Sequence, residues 1–93
     1  MEVRFLISAR NDLAHLREHY RMTLPSHGRV GQMHLRDALA MIRRDPEVGI
    51  PLPFSAGLRA VQVPFLPFAL IYRVNERRVE FLRLLPLDQA ARP

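Results

Sequence analysis

Two apolar runs near the end of the chain, joined by four polar residues, constrain the fold more than any other feature. Residues 68–74 read FALIYRV and residues 79–85 read VEFLRLL, with only Asn75-Glu76-Arg77-Arg78 between them. Both runs are apolar and favour strands, the first being rich in β-branched and aromatic residues. A short polar connection between two such runs is the signature of a β-hairpin. A third β-favouring run, LRAVQVPF, begins at Leu58. The last third of the chain therefore predicts an antiparallel arrangement of strands. One face of that sheet needs a cover, and the first half of the chain must supply it.

The first half has two helical periods. Before them, Val3, Phe5 and Ile7 alternate with Glu2, Arg4 and Leu6, the period of a half-buried strand. Ser8 follows in the position of a helix N-cap. Ala9, Leu13, Leu16, Tyr20 and Leu24 then recur at helical spacing, and Pro25 ends the run. Ser26-His27-Gly28 reads as a turn. Leu35, Ala38, Leu39 and Ile42 form a second helical stripe, preceded by Val30 and Met33, and Pro46 stops it. Residues 47–57 hold Gly49, Pro51, Pro53 and Gly57 and are expected to be loop throughout. The predicted order is β-α-α-β-β-β. This is an α+β fold, a helical hairpin packed on a mostly antiparallel sheet, expected as one domain over residues 1–93.

Composition excludes several classes. With no cysteine among 93 residues, thiolate catalysis and disulfide stapling are out. No apolar run approaches the roughly 20 residues of a membrane span. The N-terminal run carries Glu2 and Arg4 and has no cleavage-site pattern, so no signal peptide and a cytoplasmic location are expected. The net charge is +5, and all 14 basic residues are arginine. Guanidinium forks suit carboxylate and phosphate partners. The excess is spread along the chain, however, and a dedicated DNA-binding domain concentrates it. His15-Leu16-Arg17-Glu18-His19 matches the H-x-x-E-H zinc pattern. Both histidines fall opposite the apolar stripe of Leu13, Leu16 and Tyr20, and no third ligand is evident, so this reads as a solvated helix face and no metal or cofactor is expected.

The element order, the Pro46-x-x-Gly49 loop leading to Gly57-Leu58-Arg59, the core strand Pro67–Val74 and the ending Val79–Leu85 resemble the RelE/ParE superfamily of toxins from bacterial toxin–antitoxin operons, some of which act in plasmid stabilisation. The resemblance covers nearly the whole chain. It implies two possible chemistries. RelE-type members cut messenger RNA on the ribosome, using lysines of the strand after the loop, an arginine of the next strand, and a C-terminal arginine and tyrosine. Such groups stabilise the developing phosphorane charge and move protons. Aligned from Tyr72, those positions fall on Ala60, Gln62, Ala69 and Gln89, which carry none of the required side chains. Arg59 would face the other side of the strand.

The resemblance to the ParE branch is closer. It implies a growth-arresting toxin that inhibits DNA gyrase by binding, with no catalytic residue. The implied partners are a ParD-like antitoxin in a hetero-oligomer, gyrase, and operator DNA only through the antitoxin. A non-toxic co-repressor is the further alternative. Many ParE endings read Leu-His-x-x-Arg, whereas Pro86 and Leu87 stand here. The candidate contact residues are the in-strand arginines Arg59, Arg73 and Arg83, with Leu6 and Phe65 as apolar contacts; alternation puts Arg73 on the face of Ala69 and Ile71, and Arg83 on that of Val79 and Phe81. Val30, Met33, Met41 and Phe54 are further apolar positions left for a groove.

Overall fold

The computed structural model describes the backbone of residues 2–23, 28–53, 55, 57–63 and 67–90, with the side chains of all these except 19–23, 28–32, 88 and 90. The elements are β1 (Glu2–Phe5), α1 (Ile7–Thr23), α2 (Gly28–Arg44), β2 (Ile50–Pro51), β3 (Leu58–Gln62), β4 (Phe68–Asn75), β5 (Arg78–Pro86) and α3 (Leu87–Ala90). Two helices pack on a five-stranded mixed sheet of order β1-β5-β4-β3-β2. The predicted α+β class and helical hairpin are borne out. β1 pairs parallel with β5, and the other three pairings are antiparallel.

The β4–β5 hairpin is the centre of the sheet. Asn75 pairs with Arg78, leaving Glu76 and Arg77 as a two-residue turn. Glu76 takes φ 55°, a conformation that glycine adopts more cheaply, and the long pairing on either side holds it there. On the helix side, Leu70, Tyr72, Val79, Phe81 and Leu84 form one buried cluster with Val61, Val63, Ala9, Ala38 and Ile42. Phe81 stacks on Phe5 at 5.0 Å and lies 6.0 Å from the Tyr72 ring. The helical stripes are those the spacing predicts: Leu13 and Leu16 of α1, and Leu35 and Leu39 of α2, pack against this cluster.

Several expectations need correction. Ile7 does not continue the strand face of Val3 and Phe5; it opens α1 and is 75% exposed. Ser8 is not the N-cap. The carbonyl of Leu6 accepts the first helical bond, from the Arg10 N–H at 3.0 Å, while Ser8 Oγ donates to the Leu82 carbonyl at 2.6 Å. The Ser8 hydroxyl is thus tied to a distant carbonyl and does not stand at the cap position of the helix. Residues 47–57 are not loop throughout, because Ile50 and Pro51 pair with Ala60 and Arg59 as a two-residue strand. Proline is tolerated there because β2 is a sheet edge.

A register shift between Ile71 and Tyr72 corrects the face assigned to Arg83. Tyr72 pairs with Phe81 but Ile71 pairs with Arg83, so Leu82 is an extra residue on β5. The bulge switches side-chain parity: Val79, Phe81 and Leu84 share the core side, and Arg83 does not share a face with Val79 and Phe81. Leu24, Pro25, Ser26 and His27 lie outside the described residues, and so do the side chains of Tyr20 and Val30. α3 was not foreseen.

Ile42 is fully buried beneath the sheet. Ile42→Ala is expected to destabilise the fold by about 2–5 kcal/mol, measured by urea unfolding. A loss under about 1 kcal/mol would mean that α2 is not seated as described.

Candidate binding surface

Strand register sorts the candidate residues onto two faces. Ala60 pairs with Ile71, Gln62 with Ala69, Leu58 with Arg73, and Arg73 with Glu80. Paired residues lie on the same side, so these residues share the face away from the helical core. Arg83, opposite Ile71, belongs to this face, as do Arg4 and Glu2 through their pairing with Glu80 and Arg78. The centre of the face is small and apolar, with Ala69 and Ile71 buried. One end is ionic.

At the ionic end Glu80 is the hub. Its side chain is 8% accessible, Arg73 Nε donates to Oε1 at 2.7 Å, and Arg78 lies 3.7 Å from Oε2. The bonded Arg73 guanidinium, helped by the charge of Arg78 and Arg4, holds the Glu80 carboxyl below the usual carboxylate range and outweighs the effect of burial. Arg73 is nearly half exposed even while bonded, so it presents charge outward.

Arg83 is placed differently. Its Nε and Nη2 engage both oxygens of Asp12 on α1, at 2.7 and 3.2 Å, and Asp12 Oδ2 also accepts the Leu84 N–H at 2.9 Å. The guanidinium thus reaches over the β5 edge to the helix. Beside it a cleft of about 310 Å³ runs between α1, β5 and α3, with His15 and Gln89 on its rim and Phe68 and Leu85 among its apolar walls. Gln89, the position of the C-terminal arginine in the RelE pattern, therefore stands close to Arg83.

Arg59 pairs with Tyr72 and lies on the helix side, not with Arg73 and Arg83. Its Nη1 donates to the carbonyls of Glu47 and Gly49 at 3.1 and 2.8 Å. Tyr72 completes the same lock: its hydroxyl donates to the Pro46 carbonyl at 2.8 Å and accepts the Gly49 N–H at 2.9 Å. Burial pushes the Tyr72 phenol above its ordinary value, partly offset by the Gly49 amide, so it stays a neutral donor. A Cβ on Gly49 would stand 2.5 Å from the Tyr72 oxygen, which explains the glycine.

Leu6 is half-buried at the β1–α1 junction, where its N–H donates to the Phe81 carbonyl at 2.9 Å. Phe65 lies outside the described residues, as does Phe54. Among the apolar positions reserved for a groove, Met33 is 59% exposed while Met41 packs on the core. Sequence reasoning missed Asp12, Glu80 and the Tyr72–Gly49 lock. Glu80 carried a readable signal, a carboxylate alternating with Val79 and Phe81 opposite an in-strand arginine. Asp12 carried none, because its acceptor role depends on the bulge. His15 is exposed, the His19 side chain is not described, and no group of three potential metal ligands exists among the described residues. No helix among them is long and apolar enough to cross a membrane.

Comparison with solved structures places this fold. A chain of the chromosomal ParDE TA system from P. aeruginosa superposes with a TM-score of 0.78 at 19% identity, over 92% of this chain and 95% of that one. A YoeB/ParE toxin from Agrobacterium tumefaciens superposes with a TM-score of 0.64 at 19% identity, over 92% of this chain and 98% of that one. No protein-family model and no curated protein matches the sequence. This chain shares its fold with both.

Tyr72→Phe leaves the Gly49 N–H and the Pro46 carbonyl without their partner and is expected to cost about 1–3 kcal/mol in denaturant unfolding. Glu80 titrates lower in the folded chain than unfolded, so its contribution is present above the ordinary carboxylate range and is lost as pH falls through the folded value. Between about pH 5 and pH 3 the parent chain should lose stability more steeply than Glu80→Gln. Parallel curves for the two would remove the ionic hub from the account of this face.

Proposed function

We propose that this chain is a ParE-like toxin of a type II toxin–antitoxin pair, acting in a bacterial cytoplasm. It is neutralised by a ParD-like antitoxin and, when free, inhibits DNA gyrase by binding it. The observation that carries the reading is the outer sheet face. Within a fold shared with a ParDE-system chain, the positions that the nuclease branch would fill with cations are Ala60, Gln62 and Ala69, and register puts these three side by side. Methyl groups and a neutral amide neither stabilise a phosphorane nor transfer protons at neutral pH.

What the surface does offer suits binding. Arg73 presents partly exposed charge beside an apolar strip, and Met33, Ile50 and Val74 are exposed apolar side chains. A chain of net charge +5 favours an acidic partner. An antitoxin segment that folds as it wraps the toxin would use both kinds of contact.

The test is the order of events after induction without antitoxin, followed by labelled precursor uptake over the first minutes. DNA synthesis is expected to fall before protein synthesis. An earlier fall in protein synthesis would overturn the gyrase reading in favour of an action on messenger RNA.

A further inference from the structure

Among the stretches of strand edge that no neighbouring strand covers, the chain treats three differently. Beyond Phe81, β5 outruns β1, and α1 closes the gap: Ser8 Oγ donates to the Leu82 carbonyl and Asp12 accepts the Leu84 N–H. At the other side of the sheet, the Leu52 N–H donates to the Leu58 carbonyl, so by alternation Ile50 faces β3 and Pro51 faces outward. Proline has no N–H to offer, so that edge is blunted.

The third edge is β1. The Glu2 N–H donates to the Arg77 carbonyl and the Leu6 N–H to the Phe81 carbonyl, each at about 3 Å. Alternation therefore turns the backbone groups of Val3 and Phe5 outward, where no hydrogen bond is formed among the described residues. No proline or bulge protects this strand, and α1 packs chiefly on β5, inboard of it. An open edge of this kind is a template for strand addition.

We propose that β1 is a self-association strand, pairing antiparallel with β1 of a second copy about a two-fold axis at Val3. The charge pattern selects both the occupant and the register. Val3 then faces Val3 of the second copy, Glu2 faces Arg4, and Arg4 faces Glu2. Both ionic side chains are more than half exposed, with Arg4 Nε 3.0 Å and Arg78 Nε 3.8 Å from the Glu2 carboxylate, so pairing across the axis exchanges exposed contacts within the chain for contacts between chains. A shift centred on Arg4 sets the two guanidinium groups opposite each other and is disfavoured. The axis lies normal to the sheet, so Val3 and Phe5 stay on the helix side and the two sheets become one of ten strands. The contact is small, below the roughly 1,200 Å² of stable complexes, so the dimer is weak and reversible. This proposal stands independently of the gyrase reading.

Sedimentation equilibrium of the purified chain over a concentration series tests it, with circular dichroism of each variant as the folding control. A monomer–dimer equilibrium is expected. Arg4→Glu and Glu2→Arg should each weaken it by roughly tenfold or more, because the change acts at two symmetric pairs. Mixing these two variants should restore association, since each chain then opposes the other's charges. Val3→Pro removes an outward N–H that the internal ladder does not use and should abolish dimerisation with the fold intact. A chain that remains monomeric to about 1 mM, or a dimer indifferent to both charge reversals, would overturn the proposal.

Discussion

The hydroxyl of Tyr72 is the contact on which the arrangement of the chain most depends. It lies at the centre of the sheet, on a ring packed within the core cluster, yet its oxygen holds both the Pro46 carbonyl and the Gly49 N–H. A buried phenol without partners would be costly. The loop after α2 supplies those partners and is fixed in doing so. The fixed loop leaves no room for a side chain at Gly49, puts its carbonyls within reach of Arg59, and delivers Ile50 to the edge of β3. One polar atom thereby couples the end of α2, the sheet edge and the central strand.

The bulge at Leu82 does a second piece of organising. Before it, β5 alternates core residues Val79 and Phe81 with the ionic hub Glu80. After it, Leu84 takes the core side and Arg83 the outer register. Asp12 of α1 then meets both the Arg83 guanidinium and the Leu84 N–H, so helix and strand edge are joined where β1 has run out. The outer face is left with a small apolar centre and a network of arginines and carboxylates at one end, while the Arg83 cleft opens at the strand edge between α1, β5 and α3.

Much of this was legible in the residues. The hairpin followed from FALIYRV, four polar residues and VEFLRLL, and the helices from apolar spacing ended by Pro46. Placing Arg59 on the face opposite Ala60 and Gln62 needed only strand alternation, whereas setting Ala69 beside them took the β3–β4 register. What was not legible depended on tertiary partners. Ser8 looked like a cap because capping is local, whereas the Leu82 carbonyl that claims it is 74 residues away. The parity of Arg83 could not be read past a bulge that leaves no mark in composition. β2 was hidden because Pro51 is tolerated only at an edge, and the edge exists only once the sheet is assembled.

The proposed reading rests on a sheet centre of Ala60, Gln62, Ala69 and Ile71, bordered by cations that are partly engaged in ion pairs. The proposed target is tested most directly with purified components: DNA supercoiling by gyrase, and messenger RNA on assembled ribosomes, each incubated with the purified chain. Inhibited supercoiling with intact messenger RNA is the predicted result. Cleaved messenger RNA with unaffected supercoiling would contradict it, and would move the chemistry to side chains outside the sheet centre.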